Sequence, residues 1–239
     1  MSIMDMLFCL LSDKLFKYID FKEETMQNPN SIVLVRHGES EGNVVSAEDI
    51  SFADKANHRF SLTEKGREQA RRAGEVLRKD GRVFDAYFVS TFLRTQQTMS
   101  LMFPNVTPII DSRLNELWRG IWHTMSPVQV EEFYPEEKAI KARDGWFHYM
   151  PPAGQACQDV ELMIHSLLLY FSLFYSGKNI LIAGHGNWMI LLDRILYNRS
   201  TSHAGHRYHN RKYENGSITI HRGGVGMTWV NEVDNFVPE

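Results

Sequence analysis

The sequence predicts an α/β fold: a three-layer sandwich with a mostly parallel central sheet, helices on both faces and the active site at the carboxyl edge of the strands. Two observations lead there. Short β-branched and apolar runs recur at Ile32-Val33-Leu34-Val35, at residues 84–89 and at residues 180–183, and uninterrupted runs of this length read as strands buried on both faces. Helix-period segments lie between them, and strand–helix–strand alternation gives a parallel sheet covered by helices. Ligands of such sheets bind beyond the carboxyl ends of the strands.

In chain order, residues 3–21 carry Ile3, Met6, Leu7, Leu10, Leu11, Leu15, Tyr18 and Ile19 at nearly helical spacing, interrupted by Asp13, Lys14 and Lys17. Asn28-Pro29-Asn30 then reads as a turn. Residues 1–30 are therefore expected to be a helical extension and linker packed on a main domain of residues 31–239. Residues 63–79 set Ala70, Ala73, Val76 and Leu77 on one helix face, with Gly81 as a stop signal. Between about 111 and 156 the periodicity weakens and Pro127, Pro135, Pro151 and Pro152 punctuate it, which predicts an insertion or lid over the strand ends. Residues 159–175 place Val160, Met163, Ile164, Leu167, Leu168, Phe171 and Phe174 together on one helix face. Segments 216–222 and 226–233, divided by Gly223-Gly224, predict an edge hairpin.

Composition narrows the functional classes. Hydrophobic residues make up 43% and charged residues 23% of the 239, ordinary values that exclude disordered and collagenous chains. A formal net charge of −3 argues against a protein that wraps nucleic acid. The two cysteines, Cys9 and Cys157, are too few for a disulfide scaffold and point to a reducing, cytoplasmic compartment. The apolar run at residues 6–11 follows Asp5 where a signal peptide has basic residues. The run at 167–171 is far short of the roughly 20 residues that span a bilayer, so no membrane association is expected.

Two strand runs end alike. Ile32-Val33-Leu34-Val35 leads into Arg36-His37-Gly38, and Ile180-Leu181-Ile182-Ala183 leads into Gly184-His185-Gly186. If these strands are neighbours, both imidazoles converge at one sheet edge. A metal site would need a third ligand and no adjacent cation, so Arg36 beside His37 speaks against zinc, and no metal or other cofactor is expected. Arg36 and Arg94 are the fixed cations, and guanidinium forks match phosphoryl oxygens bidentately. A neutral imidazole among cations that hold a phosphoryl group is a nucleophile towards phosphorus. Protonating the leaving alcohol needs one carboxyl group as well, which these patterns alone do not select.

Four motifs now stand in order: Arg36-His37-Gly38-Glu39-Ser40-Glu41-Gly42-Asn43, Ser90-Thr91-x-x-Arg94-Thr95-x-x-Thr98, Leu114-Asn115-Glu116 and Gly184-His185-Gly186. Together they resemble the histidine phosphatase superfamily in its phosphoglycerate-mutase-like branch, over roughly residues 31–235. The resemblance implies that His37 is the nucleophile that becomes phosphorylated and that Arg36, Arg94 and His185 line the phosphate pocket. Asn43 would donate a further hydrogen bond, and Glu116 would be general acid and then general base. Ser40 matches a position that often touches substrate, although a hydroxyl at a helix start serves equally as a cap. Glu39 is expected to be supporting, and first in line as acid if Glu116 is not.

The substrate implied is a small-molecule phosphomonoester, with a phosphorylated protein also admissible. Glycolytic mutases of the family follow the glutamate with an Arg-His-Tyr-Gly-like string, whereas this chain reads Glu116-Leu117-Trp118-Arg119-Gly120. Residues 53–61 also depart from the mutase substrate loop, and Pro151-Pro152-Ala153-Gly154-Gln155 resembles a turn of the phosphatase members. A phosphomonoester hydrolase is therefore the expected activity, with mutase-type transfer or a catalytically silent binding module as alternatives. His203, His206 and His209, with Arg199, Arg207, Arg211 and Lys212 near, read as a solvated basic loop before a metal site or second phosphate patch. Trp118, Trp122, Trp146, Phe147 and Tyr149 either wall an organic substrate or pack the insertion onto the domain.

Overall fold

The structure is a computed structural model that describes residues 27–44, 56–224 and 228–239. The helix expected over 3–21, and residues 53–55 of the substrate-loop comparison, lie outside the described residues. Six strands form one sheet in the order β3-β2-β4-β1-β5-β6. They are β1 (Ser31–Arg36), β2 (Ala86–Val89), β3 (Ile109–Ile110), β4 (Asn179–Gly184), β5 (Ile218–Gly223) and β6 (Trp229–Phe236). The first four run parallel, β5 adds antiparallel to β1, and β6 adds antiparallel to β5. The terminal hairpin forms as expected, with β6 at the edge.

The strand runs are continuously apolar because alternate residues feed two different cores. On one face Ile32, Leu34, Ile180 and Ile182 pack with Val160, Ile164, Leu167 and Phe171. On the other, Val33, Val35, Leu181 and Ala183 pack with Ala73, Leu77, Met99 and Met102. The second set comes from α1 (Glu64–Lys79) and α2 (Leu93–Met102). Thr63 caps α1 by accepting from the Gly66 amide, and Gly81 stops it at φ 71°, a value at which a side chain would be strained.

The segment between β3 and β4 is helical. It holds short 3₁₀ turns at Ser112–Leu114 and Gly120–Thr124, then α3 (Pro127–Phe133) and α4 (Pro135–His148). Ser126 and Gln129 form a reciprocal capping box at the start of α3. Prolines open both helices at the position where their missing N–H costs nothing, so residues that looked like breaks are starts.

The buried face of the next helix, α5 (Cys157–Phe174), departs from the expected list at its end. Phe174 is 68% exposed and packs on Tyr170, while Tyr175 just beyond the helix takes the place against Phe88. After β4 come α6 (Gly186–Leu196) and α7 (Thr201–Asn210). The basic loop expected after residue 198 is thus a helix, capped by Ser200 accepting from the His203 amide. Its inward face is Ala204 and Arg207, the latter spread over the Tyr213 ring and paired with Asp234. An apolar-periodicity reading cannot see a helix anchored by a buried arginine. His203, His206 and His209 all point outward.

Candidate active site

His37 follows β1 directly, and its amide donates to the Gly184 carbonyl at 3.0 Å. β1 and β4 are neighbours in register, Arg36 opposite Gly184, so the two histidines that end them meet. Their ring centroids are 5.3 Å apart at 63°, and both rings are buried. The close turn after His37 requires glycine: a Cβ on Gly38 would lie 2.1 Å from the Gly66 carbonyl oxygen of α1.

The His37 tautomer follows from its neighbours. Nδ1 lies 2.8 Å from the Gly38 carbonyl, which only accepts, so Nδ1 carries the proton and Nε2 holds the lone pair. Arg94 Nε donates to that Nε2 at 3.2 Å. Burial, first, and then the Arg94 and Arg36 charges hold the His37 pKa well below the usual 6.5, so the ring is neutral. Arg94 comes from the first turn of α2 and is fixed by donating to the Asn57 carbonyl at 3.0 Å. Arg36 donates to the Tyr213 carbonyl, while its Nε is buried with no hydrogen-bond partner among the described residues.

His185 is held from the other side. Its Nε2 lies 2.8 Å from the Ser90 hydroxyl, which also accepts from the Phe92 amide. Its Nδ1 is buried without a partner among the described residues. Burial and Arg94 lower its pKa well below the usual value. His185 is also the residue before α6, and Gly186 and Asn187 of the first turn line the cavity. The positive end of that helix dipole therefore adds to the cationic field.

Glu116 reaches the same cavity from the segment after β3. Trp188 Nε1 donates to the Arg113 carbonyl at 2.9 Å, and the Thr91 amide and hydroxyl donate to the Asn115 side chain. These ties, with buried Leu114, fix the loop. The Leu117 and Asn187 amides donate to the two carboxyl oxygens at 2.9 and 3.3 Å. Burial nevertheless pushes the carboxyl pKa up, outweighing those amides and the Arg94 and Arg36 charges.

Arg36, His37, Ser40, Asn43, Arg94 and Glu116 all line one cavity of about 500 Å³. The Ser40 amide and hydroxyl, each at 3.0 Å, and Asn215 at 3.3 Å converge on the Asn43 side-chain oxygen. That leaves the Asn43 NH₂ to donate outward. His185 lies behind the ring of His37 rather than in the cavity lining. Glu39 is turned away: its carboxylate binds Lys65 at 2.8 Å and accepts from the Thr63 hydroxyl. It is therefore placed as the expected supporting residue, and not where it could take the fallback role of acid in place of Glu116.

Sequence reasoning passed over Asn57, His123 and Tyr213, which also line the cavity with Arg119 and Lys212. His123 accepts from the Arg119 amide at 3.0 Å, and burial with the Arg119 and Arg94 charges holds its pKa at about 4. No local signal marks Asn57 or Tyr213, since each contributes a backbone carbonyl to an arginine. Among the described residues no group of three or more His, Cys, Asp or Glu could hold a metal, and no helix is long and apolar enough to cross a membrane.

A neutral imidazole with its lone pair facing a cation-lined cavity, opposite a buried carboxyl whose pKa is raised, is equipment for moving a phosphoryl group. The family profile described as histidine phosphatase superfamily (branch 1) matches residues 32–233, and the chain belongs to that superfamily. A 2,3-bisphosphoglycerate-dependent phosphoglycerate mutase of Parvibaculum lavamentivorans is 30% identical over 169 residues, covering 66% of this chain and 76% of that protein. An alpha-ribazole phosphatase from Shigella flexneri has a similar fold, with a TM-score of 0.71 at 24% identity over 86% of this chain and 96% of that one. A mycobacterial glucosyl-3-phosphoglycerate phosphatase gives 0.69 at 21% identity over 87% and 99%. This sequence relative is thus named as a mutase, and these two fold neighbours as phosphatases.

Proposed function

We propose that this chain hydrolyses small-molecule phosphomonoesters through a phosphohistidine on His37. The observation that carries the reading is the His37 ring itself: neutral, its Nδ1 proton tied to Gly38, its Nε2 lone pair turned to Arg94. In the first step Nε2 attacks phosphorus, the ester P–O bond breaks, and Glu116 gives its proton to the departing alcohol. Arg36 and Arg94 neutralise the phosphoryl oxygens in a transition state whose charge spreads over them, Asn43 donates a further hydrogen bond, and His185 supports the His37 ring from behind. In the second step the Glu116 carboxylate takes a proton from water as the oxygen attacks phosphorus. The P–N bond breaks, inorganic phosphate leaves, and His37 returns to its starting tautomer. Ser40 serves by orienting Asn43.

The mutase reading has one observation in its favour, the 30% identity to a named phosphoglycerate mutase. Against it stand the departures from the mutase pattern after Glu116. Phosphate release from a monoester panel is compared with interconversion of 2- and 3-phosphoglycerate, and radiolabelled phosphoryl is trapped on wild type and His37→Ala. Labelling of wild type alone with rapid phosphate release is expected. Rapid interconversion with slow release makes the chain a mutase, and no label on any substrate makes it a silent binding module.

A further inference from the structure

We infer that the alcohol part of the substrate is a flat aromatic or heteroaromatic ring system, held in a second chamber that opens beside Glu116. The inference rests on the phosphomonoester reading above. A second cavity of about 350 Å³ adjoins the phosphate cavity. Leu117, Arg119, Trp122, Met125, Asn187 and Tyr208 line both.

Two of these six locate the doorway. The Leu117 and Asn187 amides are the groups that hold the Glu116 carboxyl. A general acid must lie within hydrogen-bond reach of the oxygen it protonates. The ester oxygen therefore sits at Glu116, and the carbon skeleton bonded to it starts where the second chamber opens. The phosphoryl end takes the corner of the first cavity between Arg36, His37 and Arg94, and the skeleton leads from Glu116 past Leu117 and Asn187 towards this chamber.

The chamber wall is built of rings. Trp122 and Tyr134 pack edge to face at 5.0 Å, and Trp146 and Tyr208 stack at 4.7 Å and 14°. Most polar groups in the wall are spent on one another. The Tyr149 hydroxyl accepts from Trp122 Nε1 at 2.8 Å and donates to Glu137 at 2.7 Å, and Lys138 pairs with Glu131. A sugar would need fixed donors and acceptors, whereas a flat ring needs aromatic surface. Arg119 and Lys141 make no ion pair among the described residues, and Lys141 Nζ lies 5.9 Å from the Tyr149 ring centre. A neutral or acidic ring suits these cations, and a cationic ring does not. The volume accepts a fused bicyclic ring, well beyond a three-carbon acid.

The test uses three primary alkyl esters, so that the leaving oxygen is alike in each: 2-naphthylmethyl, n-hexyl and ethyl phosphate. Wild type is expected to hydrolyse the naphthylmethyl ester with kcat/KM roughly tenfold or more above the ethyl ester, since even one methylene in an apolar pocket discriminates by about that factor. The hexyl ester should fall between them. Val130→Trp, which puts bulk into the chamber from α3, and Tyr134→Ala, which removes a ring, should each shrink the naphthylmethyl preference. The two act in opposite steric senses, so either alone serves if the other does not fold. A wild type that hydrolyses all three equally, or a preference unchanged in the folded variants, overturns the assignment. A hexyl ester as good as the naphthylmethyl ester overturns the ring in favour of an apolar chain. Hydrolysis of none of them, with phosphate released from other esters of the panel, removes the assignment alone, whereas no release and no His37 labelling across the panel removes the hydrolase reading as well.

Discussion

Replacing Gly66 by alanine is expected to lower both stability and turnover, although alanine is the better helix former. Gly66 is the third residue of α1 and lies outside the substrate cavity. A Cβ built there falls 1.9 Å from the Glu39 carbonyl oxygen and 2.7 Å from the Glu39 amide nitrogen. Ordinary carbon–oxygen contact distances are about 3.3–3.6 Å, so helix and loop must part by more than an ångström. Overpacking of this kind costs typically about 1–3 kcal/mol, against roughly 1 kcal/mol gained from helix propensity. The net expectation is a loss of up to about 2 kcal/mol. The loop that moves carries the Gly38 carbonyl, which fixes His37 Nδ1 at 2.8 Å. A displacement near 1 Å at the reacting groups can cost about 10²-fold in rate. Gly205 in α7 is the control, since a Cβ there meets nothing within 4 Å. Gly205→Ala should gain up to about 1 kcal/mol with turnover intact. The assay is urea denaturation of both variants alongside phosphate release from one small ester. If Gly66→Ala proves as stable and as active as Gly205→Ala, the claim that backbone contact between α1 and residues 38–39 positions the nucleophile is wrong.

Other outcomes follow from the same geometry. Glu116→Gln should slow phosphorylation by alkyl phosphates by roughly 10²–10⁴-fold and by p-nitrophenyl phosphate far less, because only the alkoxide needs a proton as it leaves; equal burst-phase losses would mean that Glu116 binds substrate instead. Glu39→Gln should leave turnover unchanged and shift stability by under about 1 kcal/mol, as its partner Lys65 is a surface cation; a collapse in turnover would return the acid role to Glu39. Stability should fall in mild acid. His37, His185 and His221 are buried neutral with depressed pKa values, so their contribution is complete above the unfolded value near 6.5 and is lost as pH falls through the folded ones. His221, held at about 4 by burial first, alone accounts for roughly 3 kcal/mol across that window. Glu116 acts with the opposite sign: its raised pKa favours the fold at low pH and withdraws that support as pH rises through the folded value. Urea midpoints followed from pH 7.5 to 4.5 read the sum, and a flat profile down to pH 5 would contradict it.

Much of the site was legible because its residues sit at predictable ends of predictable strands. His37 and His185 each terminate a run buried on both faces, and such runs declare themselves by composition. Arg94 is readable for a similar reason, one helical turn past β2. Glu116 is not. The Asn187 amide that meets it and the Trp188 indole that ties its loop through Arg113 lie more than 70 residues away in the chain, and nothing local separates it from the other acids. The aromatic residues left undivided by the sequence fall into three groups in the fold. Trp122, Trp146 and Tyr149 line the second chamber, Phe147 joins the core, and Trp118 packs on His123 at the cavity mouth.

By itself the sequence determined the alternation of strands and helices and a histidine at the end of each of two buried strands, while the pairing of β1 with β4 that brings the two together belongs to the tertiary structure. The first two follow from period-two burial and from residue types, which are local. Tertiary structure alone decided the tautomer of His37, the raised pKa of Glu116, the turning away of Glu39 and the chamber beside the acid. Each of these depends on which backbone carbonyl, amide or ring arrives from a distant segment, and on how much water that arrival excludes. Burial and hydrogen bonding set the charge of a group, and neither is a property of its neighbours along the chain.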